Sequence, residues 1–275
     1  MKWWLFVVAV VVAAGASRCT CSGDSSRVRI VTFNIEHFPQ SARQVAGAFD
    51  EIAAAKANLV AAEEITDPAL FVAEAHKRFG DSWQFVTDSY RVDRHHHIGV
   101  LFDRDDWTLR GLVEHDETRI GPRDHAILEV RLAPRGGGTT LRVLVIHFRP
   151  TTIGRPDRAR QFRALAGVAA EAVRSGDRVV VLGDFNATEA DDRVDLAALA
   201  KTAKLSWATE PLACSAFWIR DDGCPRSRLD HVLTSDKPSK VRAAGACATD
   251  GCSRTDSCPR YAHEVSDHCP VIVDF

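Results

Sequence analysis

The segment Val179–Ala187, with the sequence VVVLGDFNA, constrains the fold more than any other part of the chain. Its β-branched and aliphatic run is typical of a buried strand, and Gly183 marks the point where that strand ends. Because side chains alternate along an extended chain, Asp184 and Asn186 face one side and Phe185 faces the other. A carboxylate and an amide at one strand end can bind a hard cation or a phosphate. Gly, Asp and Asn are also common in ordinary turns, so this segment alone does not decide.

The length of 275 residues suits one large domain or two small ones, and no Gly-, Pro- or Ser-rich linker divides the chain. Three glycines at 136–138 lie between two strand-like runs, which indicates a hairpin rather than a domain boundary. The 35 basic and 37 acidic residues are interspersed, giving a net charge of -2. This balance argues against a basic nucleic-acid-binding module more strongly than against an enzyme that holds only a few phosphates.

The N-terminus has the pattern of a secretory signal peptide over residues 1–16, which leaves a single domain over residues 27–275. Lys2 precedes an apolar run from Trp3 to Ala14, and small residues follow it. That run is too short to span a bilayer, which needs roughly 20 residues. Arg18 stands where a small residue would precede a lipidated Cys19, so lipid anchoring is not favoured. We therefore expect a secreted or periplasmic protein without stable membrane insertion.

Export accounts for the cysteines. Of the eight, six fall in the last quarter of the chain: Cys214, Cys224, Cys247, Cys252, Cys258 and Cys269. An oxidising compartment would allow them to form up to three disulfides, whose pairing the sequence leaves open. Zinc is the competing interpretation, but the chain contains no Cys-x-x-Cys motif. We therefore predict disulfides.

Other polar residues also follow predicted strands. The predicted strands are 27–33, 59–62, 84–88, 98–102, 126–132, 141–146, 179–183, 229–234 and 271–275, and the predicted helices are 40–57, 68–79, 157–174 and 191–201. The polar residues at or beside strand ends are Asn34, Glu64, His147, Asp184, Asn186, Asp230, Asp267 and His268. Each one alone is also compatible with a structural role. Together they supply the groups needed for metal-assisted phosphodiester hydrolysis: carboxylates for a cation, amides for phosphate oxygens, and two imidazoles for proton transfer.

Three consecutive histidines, His95, His96 and His97, precede one predicted strand. They could be metal ligands, but neighbours in an extended chain point to opposite sides and cannot all converge on one ion. We expect a solvated loop here, from which His97 or Arg91 could still reach a site.

In sequence order, six motifs resemble those of the endonuclease/exonuclease/phosphatase superfamily, which has the DNase I-like fold. They are VTFN at 31–34, LVAAEEI at 59–65, VIHFRP at 145–150, GDFNA at 183–187, RLDHVLTS at 228–235 and SDHCP at 266–270. Their order and spacing cover the whole predicted domain. The resemblance implies an α/β fold, a four-layer α/β/β/α sandwich of two mixed sheets packed face to face with flanking helices.

The resemblance also implies a role for each matching residue. Glu64 would be the principal metal ligand, with Asn34 beside it and Asp267 contributing. Asp184 and Asn186 would bind the scissile phosphate, a second metal or the nucleophilic water, and Arg123 would contact phosphate. Asp230 would orient His268, which would act as general base or transition-state stabiliser. His147 would be the second catalytic histidine. The cofactor would be Mg²⁺, with Ca²⁺ or Mn²⁺ as alternatives.

Two positions depart from the usual pattern of this superfamily. Glu63 replaces a common glutamine, so the sequence leaves open whether Glu63 or Glu64 binds the metal. His231 stands where an aromatic residue such as tyrosine is usual after the aspartate. Neither change removes a group that the chemistry requires.

A secreted member of this superfamily would encounter nucleic acid or membrane lipid. His147 makes the chain more similar to DNase I and sphingomyelinases than to abasic-site endonucleases, and we predict a monomeric, DNase I-like endonuclease that cleaves DNA or RNA. The first alternative is a sphingomyelinase-like phospholipase C that recognises a lipid head group, in which the apolar stretch Phe217–Ile219 would touch the bilayer. The second alternative is a secreted binding protein of the same fold without turnover. It predicts the loss of a catalytic group, and all are present.

Overall fold

The computed structural model describes residues 28–89, 96–121 and 124–275. The predicted signal peptide, Cys19, Arg91, His95 and Arg123 lie outside these ranges. The strands are β1 Arg29–Phe38, β2 Leu59–Ile65, β3 Trp83–Thr87, β4 His97–Asp103, β5 Trp107–His115, β6 Ile127–Pro134, β7 Leu141–His147, β8 Arg178–Asp184, β9 Ser206–Trp207, β10 Ala216–Phe217, β11 Arg226–Ser227, β12 Asp230–Thr234, β13 Lys240–Ala243 and β14 Val271–Asp274. The α-helices are α1 Ala42–Ala55, α2 Pro68–Phe79, α3 Arg155–Arg174, α4 Ala190–Ala203, α5 Gly245–Thr249 and α6 Arg260–Glu264.

Twelve of these strands form two six-stranded mixed sheets. The first sheet has the order β13-β14-β1-β2-β4-β3 and the second has the order β5-β6-β7-β8-β12-β9. Each sheet contains one parallel pair, β1 with β2 and β7 with β8, and the remaining pairs are antiparallel. The short strands β10 and β11 form a separate hairpin-like pair.

Three apolar clusters build the layers. Side chains from both sheets, such as Ile30 and Val100 from the first and Val143 and Val232 from the second, pack together between the sheets. The outer face of the first sheet packs against α1 and α2. The outer face of the second sheet packs against α3 and α4. This arrangement confirms the predicted four-layer α/β/β/α sandwich, because every strand with two apolar faces is covered on both sides.

The boundaries of α1 and β1 differ slightly from those predicted. The helix α1 begins after Ser41, whose hydroxyl accepts a hydrogen bond of 3.1 Å from the Gln44 backbone N–H and caps the helix. The strand β1 does not end at Asn34 but continues to Phe38, with its pairing to β2 shifting after Asn34. Within the described ranges, no helix is long and apolar enough to cross a membrane.

The strand β5 was not predicted. It is the edge strand of the second sheet, and its pairing with β6 shifts register between Leu109 and Gly111. That irregularity breaks the alternation of apolar and polar residues from which strands are recognised.

The cysteine-rich segment folds around three disulfides: Cys214–Cys252, Cys224–Cys258 and Cys247–Cys269. The six predicted cysteines are thus all paired, and they form a small apolar cluster with Phe217, Ala246 and Ala262. The bridges indicate an oxidising environment. The disulfides fix the segments that precede β12 and β14. The strand β12 begins at Asp230, and His268 lies just before β14.

Candidate active site

An open cleft of about 1070 Å³ lies at one end of the sandwich, where the carboxyl ends of β2, β7 and β8 meet the amino ends of β12 and β14. Six of the predicted residues line it: Glu64, His147, Asp184, Asn186, Asp267 and His268. Asn34 and Asp230 lie directly behind them and are fully buried. The structure therefore brings together every predicted site residue except Arg123, which is outside the described residues. All eight of these residues were predicted at or beside the end of a strand, and the strand ends meet at this cleft.

The second sheet places three of these side chains by register. His147 pairs with Asp184 across the parallel strands β7 and β8, and Asp230 pairs with Asp184 across the antiparallel strands β8 and β12. Asp184 Oδ2 lies 3.7 Å from His147 Nε2 and 3.7 Å from His268 Nε2. The carboxylate therefore stands midway between two imidazoles that face the same cleft.

The loop after β8 is held by hydrogen bonds within the site. Asn186 has a left-handed backbone, with φ of 48°, and its N–H donates to Asp184 Oδ1 at 2.8 Å. Its side-chain amide donates to the Phe148 carbonyl at 3.0 Å and to Asp184 Oδ2 at 3.1 Å. Asn186 thus lines the cleft and also fixes Asp184. Non-glycine residues in this backbone region cost roughly 1–3 kcal/mol and cluster at functional sites.

The catalytic histidine predicted at His268 is held by the buried carboxylate of Asp230. Its Nδ1 lies 2.9 Å from Asp230 Oδ2 and 3.1 Å from Oδ1, which turns Nε2 toward the cleft. The Ser215 hydroxyl accepts the Asp230 backbone N–H at 3.0 Å. Burial alone would lower the pKa of His268, but the carboxylates around it, led by Asp230, hold that pKa well above its usual value. The arrangement is that of a carboxylate-oriented imidazole.

Glu64 reaches the cleft because its backbone is left-handed, with φ of 61°. Its Oε1 accepts a hydrogen bond of 3.0 Å from Asn34 Nδ2 and lies 3.7 Å from His147 Nε2. Burial raises the pKa of Glu64, but His147 and the Asn34 amide outweigh burial, so the pKa falls to about 2. Glu64 is therefore an anion at neutral pH.

The pKa of the neighbouring Glu63 is shifted in the opposite direction. It is fully buried, its Oε1 accepts a hydrogen bond of 2.9 Å from the Thr32 hydroxyl, and burial raises its pKa well above the usual value. Of the two adjacent glutamates, only Glu64 presents its carboxylate to the cleft. The left-handed backbone of Glu64 separates the two side chains, so Glu64 is the better placed of the two to meet a cation in the cleft.

The residues expected to hold a divalent cation fit one. Glu64 is anionic, and Asp267 Oδ1 is buried without a hydrogen-bond donor among the described residues. Burial raises the pKa of Asp267 to about 7; His268 opposes this rise, and neighbouring carboxylates add to it. A cation among these oxygens would relieve that repulsion. Asn34 contributes indirectly here, since its amide nitrogen donates to Glu64 and to Asp184 while its oxygen accepts the Glu36 N–H.

Three further histidines line the cleft, His37, His96 and His125, and His97 lies near His125 through a shared carboxylate. His97 Nδ1 lies 2.7 Å from Asp88 Oδ1, and His125 Nδ1 lies 3.3 Å from Asp88 Oδ2. The His125 ring stacks on the His147 ring with centroids 5.3 Å apart. The solvated loop expected for the histidine run is wrong for His97, which begins β4 and is only 19% exposed, while His96 precedes that strand and is 28% exposed. The sequence predicts that the side chains of His96 and His97 point in opposite directions, but it does not predict the pairing of His97 with Ile65 on β2.

His231 occupies the position where the family usually has an aromatic residue, and it packs as one. It lies edge-on to Phe185 and Trp207 on the outer face of β12, away from the cleft. Trp207 Nε1 donates to His231 Nδ1 at 3.2 Å. Burial lowers the pKa of His231 to about 3, with the nearby Arg228 adding to the effect. The ring is therefore neutral and structural.

Comparison with known proteins agrees with this geometry. The family model described as "Endonuclease/Exonuclease/phosphatase family" matches residues 31–268. No curated protein sequence matches the chain significantly. Similar solved structures include D. rerio TDP2 complexed with a single-strand DNA product, at 15% identity over 90% of this chain and 98% of that chain with a TM-score of 0.66.

Two further structures share the fold. The human nocturnin catalytic domain with bound sulfate has 15% identity over 90% of this chain and 93% of that chain, with a TM-score of 0.67. A mannosyl-6-phosphatase from Bacteroides thetaiotaomicron has 13% identity over 90% of this chain and 98% of that chain, with a TM-score of 0.65. At these identities the likeness shows the fold alone. The family match over most of the chain confirms the prediction of a metal-dependent phosphoester hydrolase, and the chain belongs to the endonuclease/exonuclease/phosphatase family.

Proposed function

We propose that this protein is a secreted, monomeric, metal-dependent phosphodiesterase that cleaves DNA, or RNA, as a DNase I-like endonuclease over the domain 27–275. The observation that carries the proposal is the convergence of an ionised Glu64, the Asp230–His268 pair and His147 on one open cleft. All the groups needed for phosphodiester hydrolysis are within reach of one phosphate.

Glu64 and Asp267 would hold the divalent cation, Mg²⁺ or alternatively Ca²⁺ or Mn²⁺, and Asn34 would orient Glu64. A cation at these oxygens supplies Lewis-acid polarisation of a phosphoryl oxygen. The carboxylate of Glu64 is prepared for this role by its depressed pKa of about 2.

The protein's own groups perform the proton transfers. Asp230 fixes the direction of His268, so that Nε2 points toward Asp184 Oδ2 at 3.7 Å. A water molecule near these two atoms would be oriented by the Asp184 carboxylate, which would accept its proton. His268, which its raised pKa keeps protonated, would stabilise the charge on the phosphoryl oxygens in the transition state. His147, 3.7 Å from the same carboxylate oxygen, would stabilise the phosphoryl oxygens or protonate the leaving oxygen. Asn186 holds Asp184 in place, and its amide lies where it could also meet phosphate.

An extended substrate fits the open cleft. Arg149 lines it, with its Nε 3.1 Å from Asp124 Oδ1, and supplies a guanidinium beside the phosphate position. Arg123, two residues before His125, remains the second proposed phosphate contact. The D. rerio TDP2 structure, which holds a DNA product, supports a nucleic acid in a cleft of this fold.

One feature favours the lipid alternative. The side chain of Trp218 lines the cleft and is 55% exposed, and the neighbouring Ile219 is 43% exposed. Their loop follows Cys214, which is bonded to Cys252, so the two apolar side chains are presented at a fixed position. Such a tip could contact a lipid surface near the site.

The experiment compares substrates with one preparation. The oxidised mature protein with Mg²⁺ is incubated with supercoiled plasmid, with RNA and with sphingomyelin vesicles. We expect plasmid nicking that disappears on chelation and in His268→Ala, while His263→Ala, at an exposed position in α6, retains it. Release of phosphocholine with intact plasmid would establish the lipid alternative instead. Failure on every substrate, with tight binding of one of them, would favour the binding protein.

A further inference from the structure

We propose that His37, His96 and Glu64 form a second metal site, which takes a zinc-like transition-metal cation and shares the Glu64 carboxylate with the catalytic cation. The site adds to the proposed function but does not depend on it, since metal binding can be measured without substrate.

The two oxygens of Glu64 face different surroundings. Oε1 faces the catalytic residues, at 3.0 Å from Asn34 Nδ2 and 3.7 Å from His147 Nε2. Oε2 faces the histidine pair, at 3.4 Å from His37 Nδ1 and 3.6 Å from His96 Nδ1. One carboxylate can therefore bind two cations, one through each oxygen, as in two-metal hydrolases.

The spacing of these atoms suits a tetrahedral ion. Bond lengths of about 2.0–2.2 Å to nitrogen and oxygen place tetrahedral ligand atoms about 3.3–3.6 Å apart. The two separations from Glu64 Oε2, 3.4 and 3.6 Å, fall in that range. His96 faces Glu64 through Nδ1 but faces His37 through Nε2, which lies 2.7 Å from His37 Nδ1, as in a hydrogen bond that a proton bridges. Only one of these two nitrogens can bind a given ion. Coordination through His96 Nδ1 therefore requires the His96 ring to turn so that the metal replaces this hydrogen bond.

The backbone holds His37 in this position. His37 has a left-handed φ of 56°, and its N–H donates to Glu64 Oε2 at 3.2 Å. The preceding Glu36 also has a positive φ, of 40°. Two consecutive non-glycine residues in this region turn the His37 side chain back over Glu64. Such strain is maintained only where the surrounding structure requires it, and it clusters at ligand sites.

The ligand set selects the metal. Mg²⁺ takes oxygen ligands and retains its waters, and it has little affinity for imidazole. Two imidazoles with one carboxylate bind Zn²⁺ and leave a fourth position open, as in catalytic zinc sites. The open position faces solvent, because the His37 side chain is 55% exposed at the rim of the cleft. These three ligands therefore favour Zn²⁺ over Mg²⁺, the cation that the oxygen ligands of the catalytic site favour.

The test uses Zn²⁺ as the probe and an untagged, disulfide-intact protein stripped of metal. Titration calorimetry is performed in excess Mg²⁺, which occupies oxygen-only sites. We expect one Zn²⁺ per chain that Mg²⁺ does not displace, and a loss of at least about 100-fold in affinity in His37→Gln and in His96→Gln. Co²⁺ in place of Zn²⁺ should give the visible absorption of a tetrahedral ion in the wild type and lose it in both variants.

The matched control is His97→Gln, next to His96 in the chain. His97 contacts Asp88 rather than Glu64, so this variant should keep wild-type Zn²⁺ affinity. Thermal unfolding of each variant establishes that it is folded. Equal Zn²⁺ affinity in the wild type and His96→Gln, or loss in His97→Gln alone, would overturn the site. Because these measurements contain no nucleic acid, a protein that cleaves no DNA can still bind Zn²⁺, and an active nuclease can lack the zinc site.

Discussion

The two sheets line the cleft in different ways. On the second sheet, His147, Asp184 and Asp230 lie in unbroken strand register, each opposite its neighbour. On the first sheet, the pairing of β1 with β2 shifts after Asn34, and Glu64 stands in left-handed backbone. The first arrangement fixes side chains through regular hydrogen bonding, and the second turns a side chain out of the sheet.

This difference fits two kinds of chemistry. In-line attack at phosphorus requires groups at fixed separations, which a strand ladder supplies. A metal ligand must leave the plane of the sheet so that a cation can approach it from several directions, which requires irregular backbone. His268 lies between the two sides, shortly before β14, and is held by the disulfide Cys247–Cys269 next to it.

The largest effect is expected from Asp230→Asn on the second sheet, whose regular strand register makes it the regular side of the cleft. The amide keeps the shape of the carboxylate but removes the negative charge that orients the His268 ring and keeps it protonated. We expect kcat to fall about 10³- to 10⁴-fold with little change in KM. Steady-state kinetics on plasmid or a short duplex check this, with Asp236→Asn, a surface partner of Arg178, as control. A fall in KM alone, or full activity, would show that strand register is not what orients the histidine.

The next effect tests the register itself, at Gly183. Its φ is 137°, and an added Cβ would overlap the Ile146 carbonyl of the neighbouring strand β7. Gly183→Ala should therefore lower the free energy of unfolding by about 3–5 kcal/mol and displace Asp184. Gly167→Ala, on the exposed face of α3 with open space around it, should instead stabilise by about 0.5–1 kcal/mol. Denaturant titration measures both, and a tolerated Gly183→Ala would contradict the close approach of β7 and β8.

The regular side was predictable from the sequence and the irregular side was not. The apolar runs that end at His147 and at Gly183-Asp184, and the run that begins around Asp230, indicate strands by local pattern alone, and strand ends meet at one edge of a sheet. The resemblance of six ordered motifs then supplied the sheet arrangement. The choice of Glu64 over Glu63 depends on a backbone angle that no local pattern encodes.

Long-range pairings account for the rest. The contact of His96 with Glu64 depends on how β4 pairs with β2, at a separation of some thirty residues. The disulfide pairing depends on the path of the irregular segment after α4. The edge strand β5 escaped prediction because its register shift obscures the alternation. Local propensity carries no information on these features.

A third prediction concerns the disulfide beside His268. Removing it with Cys247→Ala/Cys269→Ala should lower the free energy of unfolding by about 3 kcal/mol, from the entropy of the closed loop. It should also lower kcat, because Cys269 adjoins His268. The Cys224–Cys258 disulfide closes a longer loop, so Cys224→Ala/Cys258→Ala should cost similar stability but cause a smaller loss of kcat. Unfolding and kinetics are measured on each folded variant; equal kcat losses would mean that the bridges support the fold without positioning the histidine.

The smallest effect tests whether water is excluded from His231, on the outer face of the second sheet. The folded pKa of His231, about 3, lies below the ordinary value near 6.5, so the unfolded chain binds a proton that the folded chain does not. Stability from this residue is complete above pH 6.5 and falls as the pH drops toward 3. Between pH 7 and pH 5 the wild type should lose about 2 kcal/mol more than His231→Gln, as measured by denaturant titration at each pH. An equal loss in both proteins would mean that water reaches the ring and that β12 is looser than its register with β8 indicates.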